Sequence, residues 1–193
     1  MMQVPKPSSR LLFAREFLKH PTLLGSVVPS SQFLVRRLLR QVDWPAIRVL
    51  VEYGPGVGSF TAEILKRLPP DADLVAIEAS EEFVHYLRKA HPDPRLSVVH
   101  ASATDVRRIL RELDLGHADA IISGIPFSTL PPRVRLRILT ESKYALRPGG
   151  RFLVYQFTSA VRRDLERVFG SIERDLEPLN ILPATIFAAM NEA

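Results

Sequence analysis

Apolar and polar positions change period several times along this chain, and each change marks an element. Short, nearly continuous apolar runs stand at IRVLVEY (47–53), DLVAIEA (73–79), RLSVVHA (95–101), ADAIISG (118–124) and RFLVYQF (151–157). Helically spaced segments separate them: FTAEILKRL (60–68), SEEFVHYLRKA (80–90), TDVRRILREL (104–113) and PRVRLRILTESKYAL (132–146). Strands this apolar are buried on both faces, which a parallel sheet achieves when amphipathic helices cover it on each side. Two more strand-like runs, SIERDLEPL (171–179) and ATIFAAMNE (184–192), follow, and the short connection between them makes the last strand antiparallel to its neighbour. The pattern predicts an α/β fold with a doubly wound, mostly parallel seven-stranded sheet. Ligands are expected beyond the C-terminal ends of its strands.

Two helices are expected before the sheet, in an N-terminal extension over 1–42 that leads into a domain over 43–193. The first, SSRLLFAREFLKHP (8–21), has Ser8 or Ser9 as its cap and stops before Pro21. Leu11, Leu12, Phe13, Phe17 and Leu18 share one side of it, flanked by Arg10, Arg15, Lys19 and His20. The second starts at the Ser30-Ser31 cap and runs through QFLVRRLLRQV, packing its apolar side on the sheet and leaving Arg36, Arg37 and Arg40 in water.

Charge changes the picture of that extension. Within residues 1–40, seven cations (Lys6, Arg10, Arg15, Lys19, Arg36, Arg37, Arg40) face Glu16 alone, a net +6, so the other 153 residues carry −1 of the total +5. A basic end on a near-neutral body fits an anionic partner, nucleic acid or membrane, or else a solvated helix face. The chain has no cysteine, which excludes disulfides, thiolate metal sites and cysteine nucleophiles. The five histidines show no metal-ligand spacing, and no metal is expected. No run approaches the roughly 20 apolar residues that span a bilayer, nor does the start read as a secretory signal. The expected location is cytoplasmic.

The most specific stretch is VLVEYGPGVGSFT (49–61): a strand ending at Glu52, then Gly54, Gly56 and Gly58, then a helix from about Ser59. Glycines allow a tight turn and a close backbone approach to a ligand. The spacing resembles a dinucleotide fingerprint, but its third glycine position holds Ser59. A carboxylate beside the turn repels a pyrophosphate and suits a ligand with an ammonium group. S-adenosylmethionine has that cationic end and no phosphate. Glu78 ends the next strand, twenty residues beyond Gly58, at a distance suited to accepting bonds from ribose hydroxyls.

On these residues the chain resembles the class I S-adenosylmethionine-dependent methyltransferases over roughly 25–193, including the LRPGG turn (146–150) before the fifth strand. The resemblance implies a Rossmann-like methyltransferase domain in which Glu52, Gly54, Gly56 and Gly58 line the methionine moiety and Glu78 binds ribose. Ser30, Ser31, Phe60, Thr61, Ala79, Ser102, Ala103 and Ser123 complete the implied cofactor set. Ser102 stands where many relatives carry an acid for the adenine amino group. Within that superfamily, GSVVPSS (25–31), SGIPF (123–127), YQFT (155–158) and NILPA (180–184) are similar to bacterial phospholipid N-methyltransferases. SVVPSSQFLVRRLL and SGIPF are also similar to the rRNA adenine dimethyltransferases, which place an Asn where Gly124 stands.

That Asn matters chemically, because an exocyclic adenine amine is barely basic and its hydrogen bonds to a side-chain carbonyl make it more nucleophilic. Gly124 offers no side chain. The rRNA group also carries an additional helical region, and this chain is expected to close with its sheet. The resemblance therefore implies phosphatidylethanolamine, methylated stepwise towards phosphatidylcholine, as substrate. It implies S-adenosyl-L-homocysteine as the product of the cofactor. Ser123, Gly124, Ile125 and Phe127 are expected to supply backbone carbonyls and an aromatic wall that contacts a choline-like cation. Tyr155 is expected to orient the amine or contact its cation, with Gln156 as a helper; the two face opposite sides of a strand, so Tyr155 is favoured, or else it is a packing aromatic. His100 is expected to be packed or solvated, with proton relay as the alternative. Trp44, Arg133, Arg135 and Arg137 read as structural or solvated, the arginines alternatively touching lipid phosphates. The basic first helix then reads as an anchor on anionic lipid at the inner face of the cell membrane, or as a cover over the cofactor cleft. No obligatory protein partner is expected. The alternatives are an RNA adenine N6-methyltransferase, an enzyme acting on another amino lipid such as ornithine lipid, and a non-catalytic cofactor-binding protein.

Overall fold

The computed structural model describes residues 31–158, 161–179 and 183–192. The first predicted helix (8–21), Ser30 and most of NILPA lie outside the described residues. Seven strands form one sheet: β1 (Val49–Tyr53), β2 (Asp73–Glu78), β3 (Leu96–His100), β4 (Ala118–Ser123), β5 (Leu146–Gln156), β6 (Ile172–Glu177) and β7 (Ala184–Met190). Their order is β3-β2-β1-β4-β5-β7-β6. The first five are parallel, and β7 lies antiparallel between β5 and β6, as the short β6–β7 connection predicts.

Among the described residues, six helices cover the sheet: α1 (Gln32–Leu39), α2 (Ser59–Leu65), α3 (Glu81–Ala90), α4 (Val106–Glu112), α5 (Pro132–Ala145) and α6 (Arg162–Phe169). Alternation along each strand divides the core in two. Val49, Val51, Tyr53, Ile121, Phe152 and Val154 meet α4, α5 and α6 on one face. Leu50, Ile122, Leu153 and Tyr155 meet α1 and α2 on the other, and Val84 and Leu87 of α3 pack on Ala76 and Val98. The central strands β1, β2 and β4 are buried on both faces, which is why they read as nearly continuous apolar runs, whereas the edge strand β6 keeps exposed residues.

The second predicted helix forms as α1. The Ser31 hydroxyl caps it by accepting the Leu34 N–H at 3.2 Å, and Leu34, Val35, Leu38 and Leu39 are buried. Arg37 is a correction: its guanidinium binds Asp175 through two bonds of 2.7 and 2.8 Å and reaches Glu177 at 3.6 Å. It ties α1 to β6 instead of standing free in water. The LRPGG turn also differs, because it joins β5 as a bulge. Leu146 pairs with Ala118 before the register breaks, and the Gly149 N–H donates to the Asn191 carbonyl at 2.7 Å. The positive φ of Gly149, 73°, suits that bulge.

Strand order reverses between β1 and β4, so the segments that leave these two strands flank the crevice where such sheets bind ligands. The glycine turn after β1 and the SGIPF segment after β4 are therefore neighbours. The Gly124 N–H donates to the Tyr53 carbonyl at 2.8 Å.

Candidate active site

The turn after β1 is built on three left-handed glycines, with φ of 62° at Gly54, 55° at Gly56 and 77° at Gly58. This conformation costs side-chain-bearing residues roughly 1–2 kcal/mol each. Gly58 is further constrained: a Cβ there stands 2.6 Å from His91 Nε2 and 2.9 Å from a Leu87 methyl. The close approach lets α2 start directly at Ser59, and Phe60 and Thr61 enter the core beside the strand end. Burial against this turn holds the His91 imidazole below its ordinary pKa.

Beneath the turn lies Glu52, only 2% exposed, accepting a 2.7 Å bond from the Thr61 hydroxyl. Removal from water pushes its carboxyl up to about 8; the negative charge of Glu78 adds to the rise and the Thr61 bond opposes it. Glu78, also buried, accepts the Gly56 N–H at 3.0 Å and the Ser80 N–H at 2.9 Å, one on each oxygen. Two buried acids at adjacent strand ends make a pocket floor that favours a cation. The residues therefore fit S-adenosylmethionine: Glu52 for its cationic amino-acid end, the glycine turn for close backbone contact, and Glu78 for its ribose.

At the ends of β2 and β3, Ala79 is exposed and its carbonyl bonds His100 Nε2 at 3.0 Å, which makes His100 a surface brace. Ser102 caps the 3-10 turn Ala103–Asp105, accepting the Thr104 N–H at 3.2 Å and bonding the Thr104 hydroxyl at 2.8 Å, while Ala103 is buried.

Across the crevice, the acceptor segment meets the glycine turn backbone to backbone. A Cβ at Gly124 stands 3.0 Å from the Gly54 carbonyl oxygen and 3.2 Å from the Tyr155 hydroxyl. Any side chain at 124 has to displace one of them. Ser123 is fully buried, and its hydroxyl accepts the Ile125 N–H at 3.3 Å, so it braces the segment and shows no face to a ligand. Phe127 is a correction. Its ring is fully buried, edge-on to Phe152 at 6.5 Å, and forms no wall of the crevice. The aromatics on this side are Tyr155, 9% exposed and stacked on Phe60 at 5.3 Å, and Phe157, edge-on to Tyr155 at 6.4 Å.

Gln156, set second to Tyr155 on sequence grounds, is held more firmly than that reading implies. Its Nε2 donates to the Ile125 carbonyl at 2.8 Å and to the Tyr155 carbonyl at 2.7 Å. The Ile125 oxygen takes the Phe127 N–H as well, at 2.9 Å, so both its lone pairs are used and it is not available to an amine as expected. Of the other arginines and aromatics named, Trp44 bonds the Leu39 carbonyl and Arg135 pairs with Asp164 at 2.8 Å, whereas Arg133 and Arg137 are exposed. The described residues contain no metal-binding cluster and no helix long and apolar enough to cross a membrane. A roomier hollow, about 430 Å³, lies at the opposite ends of the strands among Asp43, Asp119, Arg147 and Arg151, and touches none of these groups.

Comparisons with known proteins identify the family. Residues 50–150 match the family described as methyltransferase domain. The chain is 31% identical over 175 residues, 90% of its length and 91% of the relative's, to an ornithine lipid N-methyltransferase of Singulisphaera acidiphila. It is 25% identical over 112 residues, 57% of its length and 41% of the relative's, to the ribosomal RNA small subunit methyltransferase A of Mycoplasma mycoides. Its fold is similar, with a TM-score of 0.59 at 14% identity, to magnesium protoporphyrin IX methyltransferase from Synechocystis, solved with S-adenosylmethionine bound. That likeness covers 98% of this chain and 86% of the other.

Proposed function

The chain belongs to the class I S-adenosylmethionine-dependent methyltransferases, as an N-methyltransferase, and from that premise we propose that its acceptor is the primary amine of a membrane amino lipid, phosphatidylethanolamine first. The observation that carries the proposal is Gly124. It leaves the methyl-acceptor segment without the side-chain carbonyl that a weakly basic adenine amine needs, and the Tyr155 hydroxyl and Gly54 carbonyl close the space where one would stand. An aliphatic amine needs no such activation, since its lone pair is localised.

The bound cofactor supplies a methyl group on sulfonium: the neutral amine's lone pair forms the N–C bond, the C–S electron pair stays on sulfur, and S-adenosylhomocysteine leaves. This chain then has to hold the amine, keep water from the crevice and let the ammonium proton depart to solvent before attack. The Gly124 carbonyl accepts no bond from the described residues and is an acceptor for an amine N–H. Tyr155 and Phe157 offer π-faces to a nitrogen that gains charge with each methyl.

The basic N-terminal 40 residues support work at an anionic membrane surface, on the cytoplasmic side, where each cation near the surface adds attraction. A second reading, ornithine lipid as the acceptor, is favoured by the Singulisphaera acidiphila relative, and its amine has the same chemistry. Vesicles of anionic lipid containing either amino lipid, incubated with methyl-labelled S-adenosylmethionine, separate the two. Labelled phosphatidylethanolamine products support the first reading and labelled ornithine lipid the second; label in neither contradicts both.

A further inference from the structure

A buried amide on the neighbouring strand borders the segment that carries Gly124. Gln156 ends β5, is 5% exposed, and one end of its amide lies within 2.8 Å of two backbone carbonyls, those of Ile125 and Tyr155. Only the NH2 end can face two acceptors, so the amide orientation is fixed by its surroundings and Oε1 must point the other way. No described residue donates to that oxygen, and it is not among the buried side-chain atoms sealed off without a partner. It therefore keeps an open side. The residue lines a crevice of about 20 Å³ with Gly124, Pro126, Ser128, Tyr155 and Phe157, close to the room that one water-sized or ammonium-sized group occupies.

We infer that Gln156 Oε1 accepts an N–H of the substrate amine and orients its lone pair, reaching the small crevice from β5 beside Gly124 and not through the space that Tyr155 and Gly54 close. This rests on the amino-lipid reading of the same site. The locked NH2 holds the 124–127 segment in register, and the opposite end of the same amide receives an N–H of the amine. Both roles fit one buried carboxamide, since its two donors and its acceptor point to different partners. The reactive neutral amine has two N–H bonds when primary, one after the first methyl and none after the second. The Gln156 bond can therefore aid the first two transfers and not the third.

The experiment compares the protein with Gln156→Leu and the better-filling Gln156→Met, each loaded with S-adenosylmethionine. The substrates are vesicles of phosphatidylethanolamine, its monomethyl form and its dimethyl form. The expected result is a loss of roughly 10- to 100-fold in kcat/KM on the primary amine. The loss is smaller on the monomethyl lipid and close to nil on the dimethyl lipid, and cofactor affinity is unchanged. An equal loss on all three, which a merely disturbed segment produces, overturns the inference, as does no loss on any. Ethanolamine titrated into the cofactor-loaded protein judges Gln156 separately from the lipid reading. Binding weakened about tenfold or more by Gln156→Leu supports the acceptor role, and unchanged or absent binding overturns it. Wild-type protein that labels no amino lipid defeats the lipid reading alone.

Discussion

The two sides of the crevice use opposite chemistry. On the β1–β2 side, two buried acids, Glu52 and Glu78, lie under a glycine turn, and removal from water holds Glu52 in its protonated form up to about pH 8. On the β4–β5 side the contacts are a glycine, backbone carbonyls, a tyrosine and an amide, with no carboxylate, lysine or histidine lining the small crevice. The difference teaches where the reaction needs charge. A cofactor with a cationic end is gripped by buried acid, whereas methyl transfer from an already activated sulfonium asks the acceptor side only for position. A strong acid or base on that side is unnecessary.

The largest effect that breaks this contrast is expected from Glu52→Gln. Glu52 gives up its proton to face a cationic cofactor and Gln has no such charge to offer, so above about pH 8 the substitution costs about 2–5 kcal/mol, or about 30- to several-thousand-fold in cofactor affinity, read by calorimetric titration. Unchanged affinity removes Glu52 from the cofactor site. Next comes Gly124→Asn, which grafts the nucleobase-type carboxamide onto the acceptor side. With 3.0 and 3.2 Å to its nearest neighbours, the new side chain must shift Gly54 or Tyr155. Lipid methylation should fall tenfold or more, with no gain of adenine methylation on RNA. Gain of RNA activity means that the rest of the site was already suited to a base.

Gly58→Ala sharpens the contrast from the cofactor side. Its φ of 77° and the 2.6 Å approach to His91 predict a loss of about 1–3 kcal/mol in stability by chemical denaturation. A further effect is one of pH. Because the native Glu52 carboxyl titrates at about 8 against an ordinary 4.5, the folded state binds this proton more tightly than the unfolded chain. Its contribution is fully present below about pH 4.5 and is lost as pH rises towards 8. The Tm of the cofactor-free protein should decline across that window, and the decline should flatten in Glu52→Gln. Equal slopes in the two proteins contradict a buried, proton-bearing Glu52.

The two sides also differed in how far the sequence revealed them. Glu52, Gly54, Gly56, Gly58 and Glu78 were legible because strand end, turn and helix start are contiguous, so a local pattern specifies a local geometry. The alternation of apolar runs gave the parallel sheet and both covering layers for the same reason. Phe127 was misread because the 3-10 turn Phe127–Thr129 swings the ring onto Phe152, twenty-five residues further on, and nothing in SGIPF signals it. Gln156 was ranked below Tyr155 because its partner Ile125 lies 31 residues away, across a strand pairing that only the folded sheet creates. Arg37 reads as a solvated cation until β6 brings Asp175 to it from 138 residues away.

The measurement that tests the central claim most directly offers the protein methyl-labelled S-adenosylmethionine together with phosphatidylethanolamine vesicles containing anionic lipid and, separately, ornithine-lipid vesicles and RNA. Products are read by mass spectrometry. The account predicts label on the nitrogen of an amino lipid and none on RNA. Methylated adenine with unlabelled lipid would contradict it, and would mean that a side-chain-free acceptor segment does not exclude a nucleobase.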